Sequence, residues 1–164
     1  MNNGDKAGTS IFLSALHVFP VKSCAALSPL LARVEPRGLT GDRRWMIVTA
    51  EGRFITGREQ PRLTLVHAEP QGDALELSAP GMEPARLCSK AIGSRIKAVV
   101  WRSTVEVRCA DAAVNAWISR YLGMDCRFVF MDADAVRPVD ACYGHAGDEV
   151  SFADGFPLLS SEER

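Results

Sequence analysis

Between Leu30 and Leu77 turn signals recur so closely that the chain has no room for a long helix, and only short strands fit between them. The stretch LLARVEPRGLTGDRRWMIVTAEGRFITGRE reads as strand, turn, strand, turn, strand: Leu30 to Val34, Trp45 to Thr49 and Arg53 to Thr56. Glycines and Pro36 stand at the breaks, where a positive or fixed φ is needed. An earlier strand is expected from Ile11 to Lys22, where Pro20 sits close enough to the end to be tolerated. Leu63, Leu65 and His67 alternate with Thr64, Val66 and Ala68, and a Pro-Gln-Gly-Asp turn leads into Leu75 and Leu77, so a hairpin follows. After a Pro/Gly-rich loop, RIKAVVWRSTVEVRC supplies up to two more short strands, and CRFVFM from Cys126 to Met131 a last one. About seven short strands with regular turns predict an antiparallel β-barrel or closed sandwich.

One segment has a different period. After Asp111, a good N-cap, Val114, Trp117, Ile118, Tyr121 and Leu122 fall at i, i+3, i+4, i+7 and i+8, and Gly123 stands at the C′ position. The expected fold class is therefore mainly β (α+β), an antiparallel barrel of short strands with one amphipathic helix. Residues 1–10 are polar and read as a disordered tail, 11–132 as the barrel domain, and 133–164 as loop. The apolar run Phe156 to Leu159 has no following element to bury it.

The 164 residues are enough for one self-sufficient core. A net charge of −1 with 24% charged residues gives no basic excess of the kind that non-specific nucleic-acid binding requires. No apolar run is long enough to span a membrane, and His17 and Pro20 interrupt the first one before it can act as a signal sequence. The five cysteines are odd in number and widely spaced, which suits reduced thiols and a cytoplasmic protein.

The stretch HVFPVKSCAALSP sets Lys22, Ser23 and Cys24 side by side and admits four readings: a nucleophile, a metal site, an anion site or a plain strand end. An ammonium beside Cys24 favours its thiolate, but no base is placed by spacing, and a packed thiol is the simpler reading. His17, His67 and His145 stand too far apart to suggest a metal site. The anion reading has more support, because Lys22 and Ser23 offer an ammonium and a hydroxyl, while GDRRW delivers Arg43 and Arg44 just after a glycine. Strand alternation would put Arg43 on the face of Trp45 and Arg44 on the other. Arg58 and Arg62 in GREQPR form a third basic group, and ordinary solvated charge remains the competing explanation for all of them.

The motifs FPVKSCAAL, RGLTGDRRWMIV and FITGREQPRLTLV, in that order, resemble the N-terminal β-barrel domain that precedes the MOSC domain in amidoxime-reducing-component proteins and their bacterial relatives. The same barrel occurs in the C-terminal part of molybdenum cofactor sulfurases. DEVSFADGFPLLSSEE is similar to the junction at which the MOSC domain proper begins, so that 133–164 would hold a truncated start of it. The resemblance implies that Lys22, Ser23 and Arg43 contact molybdopterin, a phosphate-bearing cofactor, in an enzyme that reduces N-hydroxylated compounds or handles sulfur. It also implies a MOSC domain in cis or in trans and an iron–sulfur or flavin electron donor as partners, while charge and hydropathy give the expectation of no nucleic-acid and no membrane partner. In that family the molybdenum-ligating cysteine lies far downstream in the MOSC domain, and none of the five cysteines here matches it. No catalytic residue and no metal ligand is therefore assigned, and the chain is expected to be inactive alone. Pyridoxal phosphate, with Lys22 as its Schiff-base lysine, is an alternative cofactor. A non-catalytic binding or interaction module is the alternative function, with Phe156 to Leu159 as its docking edge.

Overall fold

A computed structural model describes residues 12–90 and 92–161, and the tail expected at residues 1–10 lies outside them. The observed order is β1 (Val34–Glu35), β2 (Gly38–Leu39), β3 (Trp45–Thr49), a 3-10 turn (Pro61–Leu65), β4 (His67–Gln71), β5 (Ala74–Ser78), β6 (Ala85–Cys88), β7 (Ile92–Val100), β8 (Ser103–Ala110), α1 (Ala112–Leu122) and β9 (Cys126–Phe130). The strands form a two-stranded sheet β1-β2, a four-stranded sheet β3-β9-β8-β7 and a three-stranded sheet β4-β5-β6, with every pairing antiparallel. The mainly β class with one helix is what the turn spacing predicts.

The barrel expectation needs correction, because the sheets do not close. The expected strand Arg53 to Thr56 makes only isolated bridges, Val48↔Phe54 to β3 and Arg53↔Val99 to β7, across the open side of the four-stranded sheet. Gly52 lets it turn that tightly: at φ +86° it accepts the Val99 N–H, and a Cβ there would lie 2.5 Å from the Lys97 carbonyl oxygen. The three-stranded sheet meets the rest by side-chain packing, not by a hydrogen-bonded ladder.

Strand β3 explains how the sheets share one interior. All five of its residues are buried. Trp45 and Ile47 enter a core with Val66, Ala68, Leu77 and Leu87 of the smaller sheet region and with the helix, while Met46 and Val48 enter a second core with Phe54, Val105, Val107 and Phe152. A strand covered on both faces reads as a continuous apolar run, here WMIV. The helix lies over the first core with all five expected residues buried. The Asp111 carboxylate accepts the Val114 N–H at 3.0 Å, a cap of about 1 kcal/mol, and Gly123 takes the left-handed φ of 71°.

Other expectations shift. Residues 12–22 are not a strand, although Val18 bridges Leu27 and Val21 bridges Trp45 in parallel. Leu63 to Leu65 curl into the 3-10 turn because Pro61 opens it with a fixed φ and no N–H. Strands β7 and β8 are much longer than expected, because they pair with each other antiparallel over nearly their whole length. The segment after β9 packs back onto the sheet, with Ala135, Val150, Phe152 and Ala153 buried. Among the described residues, no helix is long and apolar enough to cross a membrane.

Candidate functional site

Two short turns meet beside the start of β3. Residues 20–22 run parallel to it: the Lys22 N–H donates to the Trp45 carbonyl at 2.8 Å, and the Trp45 N–H donates to the Pro20 carbonyl at 3.2 Å. The chain then reverses, with the Cys24 N–H donating to the Val21 carbonyl at 3.2 Å and Ser23 at φ 68°. This is a type II turn with serine at the position where glycine is usual. The second turn ends in Arg43 at φ 47°, whose N–H donates to the Phe19 carbonyl at 2.6 Å. Asp42, only 3% exposed, ties the two turns together: Oδ1 accepts the Phe19 N–H at 2.8 Å, and Oδ2 accepts from Nη1 of Arg43.

Lys22, Ser23 and Arg43 consequently line one cleft of about 350 Å³, with Arg58, Trp101 and Asp154. Trp101 is the first of two loop residues in the β7–β8 hairpin, at φ 52°, another position where glycine is usual. Among the described residues, the only non-glycine residues with positive φ are Ser23, Arg43 and Trp101, and all three border this cleft. Such backbone costs about 1–3 kcal/mol at each residue and persists where the surroundings over-determine it, as they do around ligand sites.

Lys22 is 6% exposed, and its Nζ lies 2.7 Å from Oδ1 of Asp154, 5.5 Å from the Trp101 ring centroid and 5.7 Å from that of Phe54. Burial holds its ammonium below the ordinary lysine pKa; Asp154 opposes that shift, while Arg43 and Arg137 add to it. The Arg43 guanidinium stacks on Phe19, 4.8 Å from the ring centroid. With Arg58, the cleft gathers three cations against the carboxylates of Asp42 and Asp154.

Arg44 lies elsewhere: its guanidinium donates to the Met131 carbonyl and stacks on Phe130, and it lines a different hollow together with Trp45. The expected separation of Arg43 from Arg44 therefore holds, but strand alternation is not its cause, because Arg43 is a turn residue outside β3 and does not share the face of Trp45. Arg62 is also outside the cleft, stacked on Tyr121 at 4.4 Å.

Cys24 is 4% exposed within the first core, and burial pushes its thiol up to about 12. Although it borders the cleft of Lys22, a thiol buried in this way suits packing rather than nucleophilic attack. Iodoacetamide at pH 8 should alkylate the exposed Cys142 and spare Cys24, as peptide mass mapping would show; rapid labelling of Cys24 in the folded protein would contradict its placement. His17 Nδ1 lies 3.2 Å from Ser28 Oγ, away from Lys22's cleft. Among the described residues, no group of three His, Cys, Asp or Glu side chains could hold a metal ion.

Sequence reasoning missed Asp154, Trp101 and Arg137. Arg137, 4% exposed, donates to the carbonyls of Ser151 and Ala153 at 2.6 Å and of Asp154 at 3.0 Å, fixing the loop that carries Asp154. Nothing in local spacing links residues 22, 101, 137 and 154.

Residues 10–125 match the family described as the MOSC N-terminal beta barrel domain. The chain is 30% identical to mitochondrial amidoxime-reducing component 1 of Xenopus laevis over 92% of its own length and 48% of that protein's. It is also 30% identical to the molybdenum cofactor sulfurase of Danio rerio, over 82% of this chain and 17% of that one. It thus spans about half the length of the first relative and less of the second. A solution structure of a Bordetella bronchiseptica protein superposes with a TM-score of 0.57 and 25% identity, over 72% of this chain and 89% of that one. The pyridoxal phosphate alternative for Lys22 finds no support in these relatives.

Proposed function

Since the chain belongs to the MOSC N-terminal beta barrel domain family, we propose that its cleft holds the phosphate-bearing part of a molybdenum cofactor through Lys22, Ser23 and Arg43. The observation that carries this reading is the convergence of these residues on one cleft, two of them on left-handed backbone. An ammonium, a hydroxyl and a guanidinium are the donor set a phosphate requires, and charge-assisted hydrogen bonds are the stronger kind. Arg58, in the same cleft, adds a further cation at its exposed side. The residues present therefore fit an anionic cofactor group.

When bound, such a cofactor would supply the redox centre. The part of this chain is to bind and orient: Asp42 aims Arg43, the turn at Ser23 presents Lys22, and the aromatic rings of Phe54 and Trp101 shield the ammonium from water. The activity served would be reduction of N-hydroxylated compounds or sulfur handling, in company with a MOSC domain in cis or in trans and an iron–sulfur or flavin electron donor. The domain by itself would be inactive, with residues 11–132 as the barrel domain and 133–164 as the approach to a MOSC domain. A reducing cytoplasmic setting agrees with five free cysteines.

The test is Arg43→Ala in the protein purified from its source cells. Loss of one charge-assisted contact should lower molybdenum and pterin content about tenfold at limiting cofactor. Unchanged molybdenum content would sink the assignment.

A second reading, a non-catalytic interaction module, is favoured by one observation: Phe156, Leu158 and Leu159 are 48%, 52% and 92% exposed. A strictly monomeric chain that captures neither molybdopterin nor a separately supplied MOSC domain would count against it.

A further inference from the structure

The cleft has a feature that an anion site does not need, a carboxylate placed directly on its most buried cation. We propose that Asp154 sets the selectivity of the cleft, occupying the ammonium of Lys22 so that small inorganic anions are screened out, while a ligand carrying both an anionic group and hydrogen-bond donors is admitted. This rests on the anion-site reading above.

The placement of Asp154 is built into the fold. Its Oδ1 accepts from Nζ of Lys22 at 2.7 Å and from Nε1 of Trp101 at 3.3 Å. The loop behind it is held by the Arg137 guanidinium on three carbonyls and by the Phe152 N–H on the Arg43 carbonyl at 3.0 Å. Phe152 itself is fully buried. The backbone of Asp154 is therefore fixed, while its side chain is 82% exposed and can turn toward solvent once its bonds to Lys22 and Trp101 are released.

A free phosphate must first break the bond between Lys22 and Asp154, then sit beside a displaced carboxylate of like charge. A ligand with N–H donors next to its anionic group avoids that loss, because the carboxylate can turn to accept from them. Among the described residues no donor reaches Oδ2, so this oxygen is available to such a ligand. Selectivity of this kind comes from a repulsive element as much as from an attractive one.

Inorganic phosphate titrated into the 164-residue chain at constant ionic strength, followed by calorimetry, tests the proposal. Asp154→Asn should bind phosphate about tenfold more tightly than wild type, because the competing charged hydrogen bond is gone. Trp101→Phe keeps an aromatic face beside Lys22 but loses the N–H bond to Asp154 together with part of the indole, so about a twofold gain is expected. Combining Asp154→Asn with Lys22→Ala should erase the gain. Asp154→Ser serves as a second substitution if the asparagine variant melts early. Equal phosphate affinity in wild type and Asp154→Asn, lost in Lys22→Ala, would overturn the screen and leave the anion site standing. A gain that survives Lys22→Ala would overturn it by placing the phosphate elsewhere. No phosphate binding by either Asp154 variant would also overturn it, and the cofactor content of Arg43→Ala judges the anion site separately.

Discussion

Phe152→Ala should destabilise the protein by about 3–5 kcal/mol, the range found when a large aromatic side chain is removed from a packed core. Phe152 has no exposed surface and packs in the second core with Met46, Val48, Phe54 and Val129, residues far from it in sequence. Truncation would leave a cavity lined by β3, β9 and the Gly52–Ile55 crossing, which are held by hydrogen bonds and cannot collapse to fill it. For a domain of this size the melting midpoint should fall by roughly 10 °C or more. Thermal unfolding followed by circular dichroism would measure it. A loss below about 1 kcal/mol would mean that the segment around residue 152 is peripheral, and the positioning of Asp154 described above would then lose its foundation.

Arg137→Met should cost about 3 kcal/mol or more, for a different reason. Methionine keeps much of the apolar stem but leaves the carbonyls of Ser151, Ala153 and Asp154 without the guanidinium that now serves them. The Ser151 and Ala153 bonds are buried, so water cannot simply take over, and unpaired buried acceptors carry the full desolvation cost. Burial also lowers the pKa of Arg137, although it remains a cation at any ordinary pH. Chemical denaturation gives the stability change. A shifted Trp101 fluorescence in the native state would report that the Asp154 loop has moved, since Trp101 donates to that carboxylate. A variant as stable as wild type, with unchanged fluorescence, would show that the guanidinium is not what holds the loop.

The legible part of this fold was local. The helix and its ends were readable because the cap, the apolar stripe and the C′ glycine all lie within one stretch and agree with one another. Strand β3 was readable because an apolar run between glycine turns has few other uses, and the 74–78 strand because its alternation is regular. Lengths failed in β7 and β8, whose apolar residues are interrupted by charges on one face, and over residues 12–22 the described partners give only single bridges and no ladder.

At the site, the chemistry of neighbouring residues pointed to Lys22 and Ser23 with Arg43 and Arg44, and the family resemblance narrowed the set to Lys22, Ser23 and Arg43. Their convergence was not legible, because it depends on Asp42 bonding the backbone of a segment more than twenty residues earlier. Asp154, Trp101 and Arg137 carry no local signature at all. An aspartate near the end of a loop, a tryptophan at a hairpin tip and an arginine in a polar stretch each look like surface residues until the chain is folded.

The sequence by itself determined the mainly β class, the one helix and the donor types available for an anion, since these follow from turn chemistry, periodicity and side-chain functional groups. Only the tertiary structure decided that the sheets stay open, that Arg43 reaches the cleft from a turn and not from a strand face, and that a carboxylate covers the buried ammonium. Those outcomes rest on hydrogen bonds and packing between residues up to 132 positions apart, which no local pattern encodes.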